Sequence, residues 1–431
     1  VTAGQGSGAD VFDIVDVVIV GAGAAGLATA IFTRRANPDI RVALLEGARQ
    51  PGAKILVSGG SRCNVTNAVV TEADFNSGRP AVVRRVLRAL PVDDTVEFFA
   101  GLGVSLHEEP NGKLFPDTNR SRDVLNALLA EVSRLGVDVR AGTRVTGIVP
   151  DAGVFRVTTS TGALTTHAVV LATGGLSLPK TGSDGWGYTA ATALGHSIVP
   201  TTPALAPLVI DATADRSIHA ALSGVSMPVR LDVRIDGQVA ERLHGSMLWT
   251  HFGVSGPVAM DVSRHWLRAR LERRDVQLTA SLCPDETFES LEPEWVEAVR
   301  DRPRATALST LSSQLPLSVA SAVLDRLDIA DDQILARLTR EERRRLIHAL
   351  LEWPLAVVDS RGYSHAEATA GGVPLDEIDP ATMGSRKCRG LFLVGEILDV
   401  DGRIGGFNFQ WAWSSARVAG QALARRTSAG A

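Results

Sequence analysis

The sequence predicts an α/β protein: a discontinuous domain built on a buried parallel sheet, with a β-rich, barrel-like module and a helical module inserted between its two halves. Three observations carry that reading. A glycine-punctuated strand, turn and helix open the chain at Asp16–Gly26, a second apolar strand ends in Gly174-Gly175, and a third, Gly390–Gly395, leads into a C-terminal helix. Between the second and third, composition shifts first to strand-like alternation and then to an Arg-rich helical rhythm.

In the first unit, Val17–Val20 reads as a buried strand and Gly21 permits the tight turn out of it. Gly23 lets backbone approach a pyrophosphate, Gly26 lets the next helix pack on the sheet, and the first turn around Ala24 and Ala25 supplies N–H donors and positive partial charge. Leu27–Phe32 continues as an apolar helix and Arg41–Leu45 as the second strand. Glu46, followed by Gly47, stands at that strand's end, placed to accept a ribose 2′-OH and to disfavour a 2′-phosphate. In a chain with 41 glycines a lone GxGxxG counts for little. Correct elements on both sides and the acid about twenty residues on make this a Rossmann-type dinucleotide site.

The chain's 431 residues, 45% apolar, suit two or three domains. A net charge of −4 excludes global attraction to nucleic acid or anionic membrane and leaves a local basic face open. Cys63, Cys283 and Cys388 form no CxxC pair, which excludes a dithiol redox centre and predicts a reducing, cytoplasmic setting. Residues 1–12 read as a flexible tail without a secretory pattern, and no apolar run approaches the ~20 residues of a membrane span. No metal site is predicted.

Next, Pro51–Asn67 is rich in Gly, Ser and Asn and reads as a functional loop without regular structure. Residues 81–102 and 119–135 read as two amphipathic helices, with Arg84, Arg85 and Arg88 on a polar face that is either solvated or phosphate-binding. Val137–Arg140, Thr143–Ile148 and Val154–Thr158 suit a small β-meander. His167–Leu171 returns the chain to the main sheet. Residues 201–284 form the β-rich module and 285–359 the helical module, so that 13–200 and 360–431 together make the nucleotide domain.

The end of the chain narrows the cofactor. A nicotinamide dehydrogenase needs no C-terminal strand, acidic turn and Gly-Gly helix start; an extended flavin dinucleotide does, because distant segments must meet its ribityl chain and ring. Glu396, Asp399 or Asp401 suits the hydroxyls. Backbone N–H groups around Gly406, Phe407 and Asn408 suit the ring's N1–C2=O edge, where negative charge collects on reduction. For each acid, ordering the turn is the alternative.

The strings Lys54–Asn67, Ala172–Pro179, Trp249–Pro257, Gly395–Gly402 and Gly405–Ser415 closely resemble the bacterial BaiN/YhiN-type flavoproteins, in order across nearly the whole chain. The resemblance implies FAD, a discontinuous FAD domain and NAD(P)/FAD-dependent oxidoreductase activity. Members have been linked to bile-acid double-bond reduction, aminoacetone oxidation and reduction of a ribosomal RNA uridine. One departure is Ser61, where many relatives have a third glycine, so local backbone angles are open to difference. In this setting Lys54 and Arg62 become phosphate partners, and Ser58, Gly59, Gly60, Cys63 and Asn64 neighbours of the ribityl chain or ring. Val145, Ala172, Thr173, Gly174, Gly175, Gly395 and Gly405 complete the expected FAD contacts.

Two side chains could supply a proton beside the flavin: Cys63, unless it only packs, and His251, unless it is structural. With a single GxGxxG, NAD(P)H either visits transiently or is replaced by a substrate that reduces the flavin, with oxygen as reoxidant. The leading expectation is hydride transfer from NAD(P)H through flavin N5 to an activated C=C bond of a small molecule. A second is dihydrouridine synthesis on ribosomal RNA, held by Arg300, Arg302, Arg304 and Arg340–Arg345, where Glu341 and Glu342 interrupt the basic run. A third is an aminoacetone or amine oxidase, or a flavin-binding protein without turnover.

Overall fold

A computed structural model describes residues 14–214 and 217–426, so the expected tail at 1–12 lies outside the described residues. The chain divides into two compact units, 1–201 with 368–431, and 202–367. Among the described residues no helix is long and apolar enough to cross a membrane.

The first unit is built on a parallel sheet in the order Asp138–Ala141, Val42–Glu46, Ile14–Val20, Gly162–Leu171, Leu391–Leu393. Val17, Val18, Ile19 and Val20 are all buried, which is why the first strand reads as an unbroken apolar run rather than an alternating one. Gly384–Ser385 and Ile378–Asp379 extend the sheet antiparallel beyond Leu391–Leu393. The C-terminal helix Phe407–Ala424 lies against the first helix, Ala24–Ala36. Gly420 permits that approach: a Cβ there would stand 2.7 Å from Phe32 Cβ.

Three expectations need correction. Asp138–Ala141 leaves the predicted meander and pairs in parallel with Val42–Glu46, while Val145–Asp151 and Val154–Thr159 form a hairpin on Gly162–Leu171. The helix expected over 81–102 is two, Pro80–Leu87 and Val92–Ala100, because Pro91 cannot donate within a continuous helix. The segment 51–67 is not without regular structure: Ala53–Ser61 is helical up to a kink at Ser58–Gly60, and Thr66–Asn67 pairs with Lys113–Leu114.

The second unit carries a seven-stranded antiparallel sheet in the order Trp353–Leu355, Val276–Ser281, Ser226–Ile235, Gln238–Thr250, Gly253–Ser255, Leu208–Ile210, Val357–Ser360. Its two edge strands are joined through Ala356 alone, so the sheet must curl until its edges meet, giving a barrel-like form. Helix Pro257–Leu271 buries Val258, Val262 and Trp266. Helices Phe288–Asp301, Leu317–Arg326 and Arg340–Leu351 share one hydrophobic core with the sheet, including Trp249, Trp295, Leu346 and Trp353.

Candidate active site

The first strand ends at Gly21, whose φ of +101° turns the chain sharply beside the end of the strand Gly162–Leu171. Gly26 lies so close behind that a Cβ would come within 1.9 Å of the Gly21 carbonyl oxygen. Gly23 is different: a Cβ there would meet nothing within 4 Å. It is the N-cap of helix Ala24–Ala36, makes no side-chain cap and is followed by no acid in the first turn. The helix therefore presents its first N–H groups and its positive end to open space, as an anion site requires.

Glu46 is fixed beside this turn. Its Oε2 accepts the Ala22 N–H and its Oε1 the Ala48 N–H, each at 2.9 Å. Each oxygen keeps a lone pair for a ribose hydroxyl. Gly47 faces the side chain of Arg144, whose Nη2 is bonded to Asp184 at 2.5 Å. Val145 is buried at the start of its strand.

Residues 58–64 follow a contorted backbone. Gly59, Gly60, Ser61 and Cys63 all have positive φ, between +54° and +67°. Ser61 thus adopts the left-handed conformation without being glycine, so the departure from the family's third glycine leaves the turn in place. The turn buries Cys63 completely, with its N–H bonded to the Ser58 carbonyl at 3.1 Å. Burial pushes the Cys63 thiol up to about 12, against a lowering hydrogen bond from Ser58. A thiol so enclosed holds its proton and packs inside the turn. Next to it, the Asn64 side-chain oxygen is buried with no hydrogen-bond partner.

That oxygen faces the start of the C-terminal helix. A Cβ on Gly406 would stand 2.9 Å from Asn64 Oδ1 and 2.5 Å from the Thr66 carbonyl oxygen, so only glycine fits there. Gly406, at φ +93°, is the N-cap of Phe407–Ala424 and again lacks a side-chain cap or a first-turn acid. Three buried side chains pin this helix. Trp413 Nε1 donates to the Val65 carbonyl at 2.9 Å and Trp411 Nε1 to that of Gly395 at 3.1 Å. Gln410 accepts from Thr66 Oγ1 at 2.6 Å and donates to the Leu90 carbonyl at 2.7 Å.

The remaining expected residues separate into two groups. Lys54 Nζ donates to Glu396 Oε2 and to Ser177 Oγ, both at 2.7 Å, and Ser177 Oγ donates to Glu396 Oε1 at 2.7 Å. The expected phosphate cation and the expected hydroxyl acceptor therefore hold each other, each with hydrogen-bonding capacity to spare. Gly395 sits against the first helix, where its Cβ would lie 2.8 Å from that of Ala25, and Gly174 lies near both Ser183 and Glu396. Ala172 donates its N–H to the Val20 carbonyl, placing Ala172–Gly175 at the carboxyl end of the sheet beside the first turn. Gly175 packs on Thr369, and Thr173 on Gly187.

The second group holds the turn itself. Asp401 is buried and its Oδ2 accepts from Asn76 Nδ2 at 3.2 Å; the Asp399 N–H donates to the Val373 carbonyl. Asn408 closes a reciprocal pair with Gly402, accepting its N–H and donating to its carbonyl, each at 2.9 Å. Gly405 presents its carbonyl to Asn67 Nδ2. Arg62 is ion-paired to Glu109 at 2.6 Å and lies over the Phe115 ring. His251 belongs to the other unit, exposed in the turn after Gln238–Thr250, with its ring edge against Phe252.

Sequence reasoning missed Ser177, Gln410, Trp411 and Trp413. Each had a signal: a serine inside the Ala172–Pro179 string, and an amide with two indoles in a largely apolar helix start, all of which demand partners when buried.

Two uncapped helix N-termini, a carboxylate held beside the first, and a partnerless buried amide oxygen beside the second fit an extended dinucleotide with a polar ring edge. Gly21–Gly26 and Glu46 would hold the ADP half of FAD, and Asn64 with the Gly406–Asn408 turn its flavin half. Such a cradle, on a parallel sheet interrupted by an inserted unit, defines the FAD-dependent oxidoreductases of the Rossmann type.

Comparison with known proteins narrows the class. The profile described as "HI0933-like protein Rossmann domain" matches residues 15–422, and the chain belongs to that family, the BaiN/YhiN-type flavoproteins. It is 31% identical over 408 residues, 95% of its length and 98% of the relative's, to the 3-dehydro-bile acid delta(4,6)-reductase of Clostridium scindens. It is 32% identical, with the same coverage, to the ribosomal RNA dihydrouridine synthase of Escherichia coli. The quinol fumarate reductase structure of E. coli shares the fold at 16% identity and a TM-score of 0.50, over 96% of this chain and 70% of that one.

Proposed function

We propose that this protein reduces a C=C bond conjugated to a carbonyl, with FAD as its cofactor and NAD(P)H as a transient electron donor. The observation that carries the reading is the second helix N-terminus, uncapped at Gly406 and next to the partnerless Asn64 oxygen. A positive helix end there stabilises negative charge in a reduced ring more than in an oxidised one. What FAD supplies when bound is two-electron hydride chemistry. The relatives' names point the same way: delta(4,6) reduction and dihydrouridine synthesis both add hydrogen across such a bond.

The chain's own residues do the rest. Glu46 accepts ribose hydroxyls, and the Gly23 turn donates N–H groups to the pyrophosphate. The Lys54–Ser177–Glu396 triad keeps its ion pair and orients the remaining Glu396 lone pairs toward a hydroxyl. Cys63 keeps its proton and supports the turn that carries Asn64. His251, exposed in the turn after Gln238–Thr250, is the proposed proton donor to the acceptor carbon.

A uridine of ribosomal RNA is the second reading for the acceptor. It is favoured by a cavity of about 440 Å³ lined by Arg340, Glu341, Arg344, Arg345 and His348. There Arg344 lies over the Phe288 ring and His348 stacks on it at 4.9 Å, a surface suited to phosphate and base. Arg300, by contrast, is committed to Glu297 and Asp301.

The test is anaerobic stopped-flow with the FAD-loaded protein. NADH or NADPH bleaches the flavin absorbance if the reading is correct; failure of both to do so refutes the donor assignment and with it the reductase cycle.

A further inference from the structure

The nucleotide-binding unit has a cationic cavity away from the expected cofactor residues. It measures about 400 Å³ and is lined by Arg386, Lys387, Arg389, Phe392 and Arg426, among others. The strand Leu391–Leu393 begins at this cavity and runs toward Gly395 and Glu396. In a parallel sheet the cofactor lies at the carboxyl ends of the strands, so the cavity opens at the opposite end.

Its charges are not balanced from within. Arg426 lies over the Phe392 ring, 5.5 Å from its centre, and has Arg389 as its charged neighbour. Among the described residues neither guanidinium has a carboxylate or a side-chain hydrogen-bond partner. Partial burial, and after it the Arg389 charge, lower the Arg426 pKa, as two cations brought together without a counterion must. Two acids border the lining: Glu377 is bound to His196 at 2.7 Å and to Ser197 and reaches Lys387 only at 3.9 Å, and Asp379 accepts from Thr382 Oγ1 at 3.0 Å. The hydroxyls are engaged as well: Ser385 bonds His196 and accepts the Lys387 and Cys388 N–H groups.

We infer that this cavity is a binding site for a phosphate group, held between the Arg389 and Arg426 guanidiniums with Arg386 and Lys387 at its rim. Guanidinium forks match phosphate oxygens bidentately, and a phosphate oxyanion, singly charged in a diester and up to doubly charged in a monoester, offsets the repulsion between the two cations. The phosphate comes either from a free phosphate monoester or from the phosphodiester backbone of an RNA. The inference does not depend on the reduction proposed above.

The test uses the FAD-loaded full chain, so that the helix N-terminus at Gly23 is already filled and cannot take the probe. Inorganic phosphate is titrated calorimetrically at constant ionic strength against wild type, Arg389→Gln, Arg426→Gln and Arg425→Gln. Arg425 is exposed and outside the cavity lining, so its variant controls for loss of charge alone. Wild type and the Arg425 variant should bind alike, and the Arg389 and Arg426 variants about tenfold more weakly. Equal affinity in all four, or no binding to wild type, overturns the inference. Unchanged flavin absorbance and unchanged melting in phosphate-free buffer show that the variants are folded. A labelled oligouridylate then separates the sources. If its affinity also falls in the two cavity variants, with a log–log salt slope smaller by about one, the ligand is RNA backbone. If RNA binding is unchanged while phosphate binding falls, the ligand is a free phosphate.

Discussion

Two glycines three residues apart should fail for different reasons when each is given a single methyl group. At Gly23, φ is −82° and the added Cβ meets nothing within 4 Å. Gly23→Ala should therefore leave apoprotein stability within about 0.5 kcal/mol of wild type. At Gly26, the Cβ would stand 1.9 Å from the Gly21 carbonyl oxygen and 3.4 Å from Ala172 Cβ. Backbone must move, and overpacking of this kind costs about 2–3 kcal/mol, a melting-point loss of about 4–12 °C for a domain of this size. FAD affinity should reverse the contrast. The Gly23 methyl occupies the space through which the pyrophosphate reaches the helix N–H groups, so loss of roughly two hydrogen bonds weakens binding by about 2 kcal/mol, or about 30-fold. Thermal unfolding of flavin-free protein and FAD titration by fluorescence quenching measure both quantities. If Gly23→Ala melts as low as Gly26→Ala, or binds FAD with wild-type affinity, the open space at Gly23 is not the pyrophosphate's.

Further predictions concern the turn, the thiols and pH. Ser61 holds φ +66° on an exposed position, so Ser61→Gly should stabilise the protein by about 0.5–1 kcal/mol in urea unfolding; destabilisation would mean that its side chain does more than occupy the turn. Cys63, with its thiol at about 12, should resist iodoacetamide in the native protein at pH 8, while the half-buried Cys388 labels first by mass spectrometry. Glu131 is hydrogen-bonded to Arg134 and Arg35, which hold its carboxyl at about 2, well below the usual glutamate value of about 4.5. A depressed acid stabilises the fold above its unfolded pKa. Glu131→Gln should thus cost about 2 kcal/mol at pH 7, a difference that shrinks as pH falls from about 4.5 through 2; a pH-independent difference would exclude the ion pairs as its cause.

The parts of the site that sequence made legible are those written in local pattern. The apolar run Val17–Val20, the spacing of Gly21, Gly23 and Gly26, and the acid at Glu46 each follow from backbone geometry within one βαβ unit, and they lie where that geometry requires. The C-terminal Gly405-Gly406 pair was legible for the same reason. Partner choice over long separations was not. Nothing near Lys54 announces Glu396, which lies 342 residues away, and each in isolation suits the cofactor rather than the other. Asp138–Ala141 alternates like an edge hairpin strand, yet it pairs in parallel because the sheet beside Val42–Glu46 has a free edge. The short helix at Ala53–Val57 was hidden by the Gly-Ser composition that follows it, where the helix in fact breaks. Ser61 shows the limit of composition from the other side: a residue that dislikes positive φ adopts it because its neighbours on both sides are held.

The central claim, that this flavoprotein passes hydride to a conjugated C=C bond, is tested most directly by the oxidative half-reaction without oxygen. Protein reduced anaerobically is mixed with a conjugated enone or with uridine-containing ribosomal RNA, and flavin absorbance and product are followed together. One of these acceptors should restore the oxidised spectrum, with one C=C bond saturated per flavin. Recovery of the oxidised spectrum only on admitting oxygen, with peroxide released and neither acceptor reduced, would contradict it.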